Sequence, residues 1–199
     1  MAEENFLIPT ANYLKSGIHI GTKFKTKYMA KFIYKTRPDG LSVLNLQQID
    51  ERIRVAAKLL AQYEPHDILV ISRRENGWHS VKMFAKFTGV KIVAGRYPPG
   101  MMTNTDLVTF IEPKIILVTD AWPDRNAVMD ANKIGIPVIA LCDTNNQANS
   151  IDLVVPCNNK GKKSLGLLFH LLATEYLRLR GNLKPGEDMQ ATVDDFTEK

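Results

Sequence analysis

The stretch Asp67-Ile68-Leu69-Val70-Ile71-Ser72 decides the fold. Its four central residues are apolar without alternation, so both faces of the strand they form must be covered. A helix over residues 76–88, closed by Gly89, and a short strand at 91–94 come next. The same order then returns. Residues 114–119 read as a buried strand, 124–134 as a helix closed by Gly135, and 137–142 and 152–155 as two more strands. Residues 164–180 form a long helix ending at Gly181, apolar around most of its girth, and His170 on it reads as a core or interface residue. Upstream, residues 47–63 carry Ile49, Ile53, Ala56, Ala57 and Leu60 at helical spacing, and Pro65 stops that helix. Strands apolar on both faces, alternating with helices, imply an α/β fold: a doubly wound, mostly parallel sheet with helices on both faces.

The N-terminal part differs. Between residues 5 and 38 stand seven basic residues (Lys15, Lys23, Lys25, Lys27, Lys31, Lys35 and Arg37) and no acid. Thr10 is placed to cap a short helix ending at Gly17. Residues 32–34 and 41–46 flank a Pro38-Asp39-Gly40 turn and read as a β-hairpin. A segment with charge of one sign wants a polyanion beside it, and lysine and arginine neutralise phosphates. Tyr13, His19, Phe24, Tyr28, Phe32 and Tyr34 are threaded among the basic residues. Tyr28, Phe32 and Tyr34 are read first as core, because aromatic rings are so often buried. Stacking on RNA bases is the alternative. His19, between two glycines, is expected to pack the extension onto the core.

Three regions follow: a basic extension with its hairpin at 1–46, an α/β core at 47–181, and an acidic tail at 182–199. The tail holds Glu187, Asp188, Asp194, Asp195 and Glu198 against Lys184 and Lys199, and is expected to be disordered for want of apolar material. The whole chain of 199 residues carries +5, and without the tail there remain 24 basic residues against 16 acidic. Cys142 and Cys157 both end apolar runs and read as buried thiols, not a disulfide framework. No signal-peptide pattern and no run long enough to span a bilayer is present, so a cytoplasmic setting without membrane contact is expected.

Doubly wound sheets bind ligands at the carboxyl ends of their strands. No dinucleotide fingerprint, phosphate loop, nucleophile elbow or zinc pattern occurs there. Asp120, Asp124 and Asp143 end strands or open helices and could hold magnesium, although aspartate is also a common cap at such junctions. The segment Pro156-Cys157-Asn158-Asn159-Lys160-Gly161-Lys162-Lys163-Ser164 carries a second signal. It sets three lysines at the start of a long helix, where free N–H groups and partial positive charge favour an anion, while Ser164 is expected to cap the helix. Asn158, Asn159, Lys160, Lys162 and Lys163 are therefore candidate phosphate contacts beside the N-terminal lysines. Met101 and Met102, in a loop rich in turn formers, are expected to be exposed and to meet a protein partner.

Taken together these residues resemble the universal second small-subunit ribosomal protein family, whose eukaryotic members are called ribosomal protein SA or the laminin receptor precursor. The resemblance rests on Gly17-Ile18-His19-Ile20-Gly21, Asp39-Gly40 with Asn45-Leu46, Pro99-Gly100 with Thr103-Asn104, and Val118-Thr119-Asp120. It continues through Ile139-Ala140-Leu141-Cys142, Ile151-Asp152 running into Pro156–Gly161, and Glu175, Leu177-Arg178 and Arg180-Gly181. It spans roughly residues 6–181. It implies a structural component of the small ribosomal subunit that contacts rRNA and neighbouring ribosomal proteins, with no catalysis, no cofactor and no small-molecule substrate. Bacterial members carry an inserted helical pair and eukaryotic ones a long C-terminal extension. This chain shows neither, which implies an archaeal member. Between Gly21 and Ala30 it departs from the family, with a lysine-rich run in place of a Trp-Asn-Pro type of sequence. The alternative is a phosphate-handling enzyme using Asp120, Asp143 and the 160–163 loop with magnesium.

Overall fold

The computed structural model describes residues 6–184 and 189–197. A short helix, α1 (Thr10–Ser16), leads through a 3-10 turn at Met29–Phe32 to a hairpin of β1 (Ile33–Thr36) and β2 (Ser42–Leu44). The core follows as α2 (Leu46–Leu60), β3 (Ile68–Ser72), α3 (Glu75–Thr88), β4 (Lys91–Ala94), β5 (Ile115–Val118), α4 (Arg125–Ile134), β6 (Val138–Cys142), β7 (Leu153–Pro156) and α5 (Lys162–Leu179). The five later strands form one parallel sheet in the order β4-β3-β5-β6-β7. Val70 stands beside Leu117, and Leu117 beside Ile139.

Every residue of β3, β5, β6 and β7 is buried, as their unbroken apolar runs require. The crossover through α3 moves one way along the sheet and the crossover through α4 moves the other way. Right-handed connections then put α3 and α4 on opposite faces. On one face α5 packs between α2 and α3. Its buried residues include Leu165, Leu168, Phe169 and Leu172, and Phe84 of α3 meets Phe169 at 5.6 Å between ring centroids. The links at residues 95–114 and 143–152 contain no helix. The doubly wound α/β fold with an antiparallel N-terminal hairpin is the one the alternation implies.

Several local expectations are corrected. Helix α1 begins at Thr10 after Pro9, so Thr10 is helical and caps nothing. Gly17 does close that helix, in the left-handed region at φ 71°. Helix α5 begins two residues before Ser164, after Gly161. The Ser164 hydroxyl donates to the Asn158 carbonyl instead of capping. Phe32 is buried, but Tyr28 is exposed and Tyr34 is 70% exposed, so the core reading holds for one ring of the three. Met102 is 2% exposed and Met101 half-buried. Their loop folds inward because the Asp130 carboxylate of α4 accepts both the Tyr97 hydroxyl (3.2 Å) and the Gly100 N–H (2.9 Å).

The acidic segment also departs from expectation. Residues 185–188 and 198–199, with Glu187, Asp188, Glu198 and Lys199, lie outside the described residues. Residues 189–197 pack on α3 and α5, with Phe196 fully buried and Met189 and Ala191 nearly so. Val193 is partly buried there too, and side chains of α3 and α5 hydrogen-bond the segment's backbone carbonyls. His170 packs here, its ring edge-on to Phe196 and its Nε2–H donating to Ala191 O. Both cysteines are buried free thiols.

Candidate nucleic-acid interface

The carboxyl ends of β3, β5, β6 and β7 carry the aspartates and the lysine loop, and the N-terminal extension is stitched across them. Asn158 N–H donates to Ile18 O (2.8 Å), and Thr26 N–H to Thr144 O (2.9 Å). Thr22 and Thr144 share a hydroxyl hydrogen bond of 2.9 Å, and Thr26 Oγ1 donates to Asn146 O (2.8 Å). The hairpin joins from the other side, through Leu44 N–H to His19 O and Gly21 N–H to Ser42 O. Gly21 has no side chain because none fits. A Cβ there would lie 2.5 Å from Thr144 Cγ2 and 3.0 Å from Ser42 O. His19 is buried in this seam, and burial together with the nearby Arg37 holds its imidazole below the usual range. With Leu14 of α1 and Val43 of β2 it lines one pocket, so these neighbours belong to the extension itself.

Two basic segments more than 120 residues apart in sequence thus share one end of the sheet. Lys15, Lys23, Lys25, Lys27, Lys31, Lys35, Arg37 and Lys163 are exposed and make no ion pair among the described residues. Lys31 Nζ rests 3.9 Å from the Tyr28 ring centroid. Lys162 is exposed on the first turn of α5, where the free N–H groups point.

The rest of the lysine loop is used by the fold itself. Lys160 Nζ pairs with Asp143 Oδ2 at 3.0 Å. Asn158 Oδ1 accepts the N–H groups of Lys160 and Gly161, and its amide donates to Gly17 O. Asn159 is fully buried and donates to Leu141 O at 3.0 Å. Asn158, Asn159 and Lys160 therefore build the loop; Asn159 is buried too deeply to meet a phosphate, while Asn158 and Lys160 stay partly exposed.

The strand-tip aspartates are sealed in the same way. Asp120 Oδ2 accepts Arg74 Nε at 2.6 Å, and its Oδ1 accepts Asn146 Nδ2 (2.7 Å) and Trp122 N–H (3.1 Å). Asp143 Oδ1 accepts Thr144 N–H at 2.6 Å. Asp124 sits at the start of α4, yet its side chain accepts Arg73 N–H (3.3 Å) and does not cap. Burial and the Asp120 charge raise the Asp124 carboxyl to about 6. Among the described residues no group of His, Cys, Asp and Glu is placed to hold a metal ion. The magnesium site drawn from Asp120 and Asp143 fails because an arginine and a lysine already occupy their outward oxygens.

Sequence reasoning missed Trp122 at this end. Phe24, one of the rings threaded through the basic segment, is 79% exposed and Trp122 80% exposed, and both line an open cleft beside β5 and β6. Trp122 carried a usable signal: a large ring in a strand-to-helix link, at the end of the sheet where such folds take ligands. Among the described residues no helix is long and apolar enough to cross a membrane.

The model of the ribosomal protein S2 family matches residues 13–111 and 109–178. Small ribosomal subunit protein uS2 of Ignicoccus hospitalis is 51% identical over 196 residues, which cover 97% of this chain and 92% of that protein. The protein of that name from Nanoarchaeum equitans is 47% identical over 193 residues, 97% of this chain and 96% of the relative. The one from Methanococcus maripaludis strain C5 is 46% identical over 199 residues, 100% of this chain and 90% of the relative. Similar to all three over nearly its full length, and matched by the family's model along most of it, the chain belongs to the archaeal branch of the ribosomal protein S2 family.

Proposed function

We propose that the protein holds small-subunit rRNA against the carboxyl end of its sheet and packs there beside neighbouring ribosomal proteins. Its role as a component of the small ribosomal subunit is structural and not enzymatic, and its place of work is the ribosome in the cytoplasm. The observation that carries the RNA reading is the distribution of charge. Lys23, Lys25, Lys27, Lys31, Lys35, Arg37, Lys162 and Lys163 are exposed on the segments that meet at this end, while Asp120, Asp124 and Asp143 are buried beneath it. The surface therefore shows positive charge to solvent, and its counter-charges are hidden and used. Such a surface attracts phosphate irrespective of base sequence. Lys15, on α1, belongs to the same one-sign segment and extends it.

Sedimentation of native lysate through a gradient tests the proposal. Co-migration with the small subunit at low salt, lost as salt rises, is expected. A slow-sedimenting, RNA-free monomer at low salt would overturn it. Charge reversal at Lys25 and Lys27 should weaken RNA binding for all sequences alike. It should also lower the slope of log K against log salt by about 0.7 for each single-strand phosphate that is no longer neutralised.

A further inference from the structure

We propose that the cleft between Phe24 and Trp122 receives an unstacked base of single-stranded RNA. The inference rests on the RNA-binding reading above and names the part of the nucleic acid that this cleft takes. The cleft opens at the carboxyl ends of β5 and β6 and has a volume of 630 Å³, within the roughly 300–1,000 Å³ typical of ligand clefts. Phe24 and Trp122 stand on it almost fully exposed. A large ring left bare gains nothing for folding, and two at one cleft form a surface for a flat partner. Every base has such a face, so stacking on rings tolerates any sequence.

The floor of the cleft argues for a base over a phosphate. It is the Arg74–Asp120 pair, whose charges cancel and whose carboxylate oxygens are already taken by Arg74, Asn146 and Trp122 N–H. At the pair itself an anion would meet the Asp120 carboxylate as well as the guanidinium, whereas a neutral ring loses nothing by covering a neutral pair. The exposed amides of Gln147 and Asn149 line the cleft and offer donors and acceptors to a base edge. Cations stand where flanking phosphates would lie: Lys23 and Lys25 border Phe24 in the chain, and Arg125 lines the Trp122 side. The apolar side chain of a protein partner would use the rings and leave the amides and cations without purpose.

The test uses the full chain in a Trp78→Phe background, so that Trp122 is the one remaining tryptophan. An oligoadenylate and an RNA duplex of equal length are titrated in. Fluorescence of Trp122 is expected to be quenched by the single strand and much less by the duplex. Binding of a labelled oligoadenylate, followed by anisotropy, should weaken about tenfold in Phe24→Ala and in Trp122→Leu, with the salt slope unchanged. Both side chains are exposed, so both variants should fold as the parent does. Unchanged affinity in the ring variants, with weakened binding in the Lys25 and Lys27 reversals, would overturn the inference and leave the RNA reading standing. No binding of any RNA by the parent would overturn both. Ring variants that lose co-sedimentation with the subunit while keeping their oligonucleotide affinity would assign the cleft to a protein neighbour and overturn the inference.

Discussion

Arg74 Nε donates to Asp120 Oδ2 at 2.6 Å, joining the tips of β3 and β5 at the point where the strand order reverses. That is the place where doubly wound sheets open a ligand crevice. In this protein the ion pair forms its floor and takes up the carboxylate that a ligand would need. Both groups come from the links that follow their strands, and Asp120 is buried while the Arg74 side chain is about one-third exposed. A crevice that elsewhere holds a cofactor is here part of the scaffold beneath a basic surface.

Removing Arg74 leaves a buried carboxylate without its cation. Arg74→Ala should therefore destabilise the protein by about 2–4 kcal/mol, since breaking one side of a buried pair strands the other charge. The second change Asp120→Asn should recover part of that loss, because an asparagine oxygen still accepts from Asn146 and Trp122 and no charge is left stranded. Urea unfolding of the two single variants and the double variant gives the coupling directly. Additive costs would mean the pair contributes nothing.

Asp124 gives a pH signature. Its carboxyl is raised to about 6 from an ordinary 3.8, mainly by burial. The folded protein thus holds this proton more tightly than the unfolded chain does. The stability so gained is full below about pH 4 and is lost as pH climbs towards 6. At neutral pH an ionised, buried Asp124 is a burden. Asp124→Asn keeps an acceptor for Arg73 N–H and should stabilise the protein by about 1–2 kcal/mol at pH 7. The gain should vanish below pH 4. Denaturation at the two pH values checks this, and an equal difference at both would rule out the titration as its cause.

Gly21 leaves no room for a side chain where the extension passes Thr144 of the core. With a Cβ 2.5 Å from Thr144 Cγ2 and 3.0 Å from Ser42 O, Gly21→Ala forces the seam apart. A cost of about 1–3 kcal/mol is expected for such overpacking, with faster tryptic cleavage after Lys23, Lys25 and Lys27. Thr144→Ser removes the methyl group but not the Ser42 carbonyl, so it should rescue the variant in part. Full rescue would show that the main chain has room to move.

What the sequence revealed and what it hid divide along a physical line. Apolar runs such as residues 68–71 and closing glycines such as Gly89 and Gly135 are local signals, and the parallel sheet follows from them. The pairing of chain-distant polar groups is not local. Nothing near Lys160 marks it as the partner of Asp143, and nothing near Asn159 marks it as buried under β6. Met102 reads as exposed because its loop is full of turn formers; the carboxylate that draws the loop in, Asp130, lies a helix away. The basic segment is legible as a surface because like charge needs no partner to be read.

Residues 189–197 lie as a strap over α3 and α5. Phe196 stacks on Phe87 (5.9 Å, 19°) and meets the edge of His170 (5.5 Å, 88°). Its carbonyl accepts the Ser80 hydroxyl at 2.8 Å, and the Nε2–H of His79 donates to Asp195 O at 2.8 Å. Gly166 of α5 lies directly beneath, where a Cβ would come within 3.2 Å of Phe196 O and run into Thr197 Oγ1. Phe196→Ala empties the pocket from above, and Gly166→Ala fills it from below. Each should release the segment, at a cost of about 2–4 kcal/mol. Because both abolish one and the same docking, the double variant should be little less stable than the worse single one. Hydrogen exchange should rise across residues 189–197 in all three variants while the central sheet stays protected. Fully additive costs, or exposure of the sheet itself, would mean that this segment is part of the core's cooperative unit and not a strap laid over it.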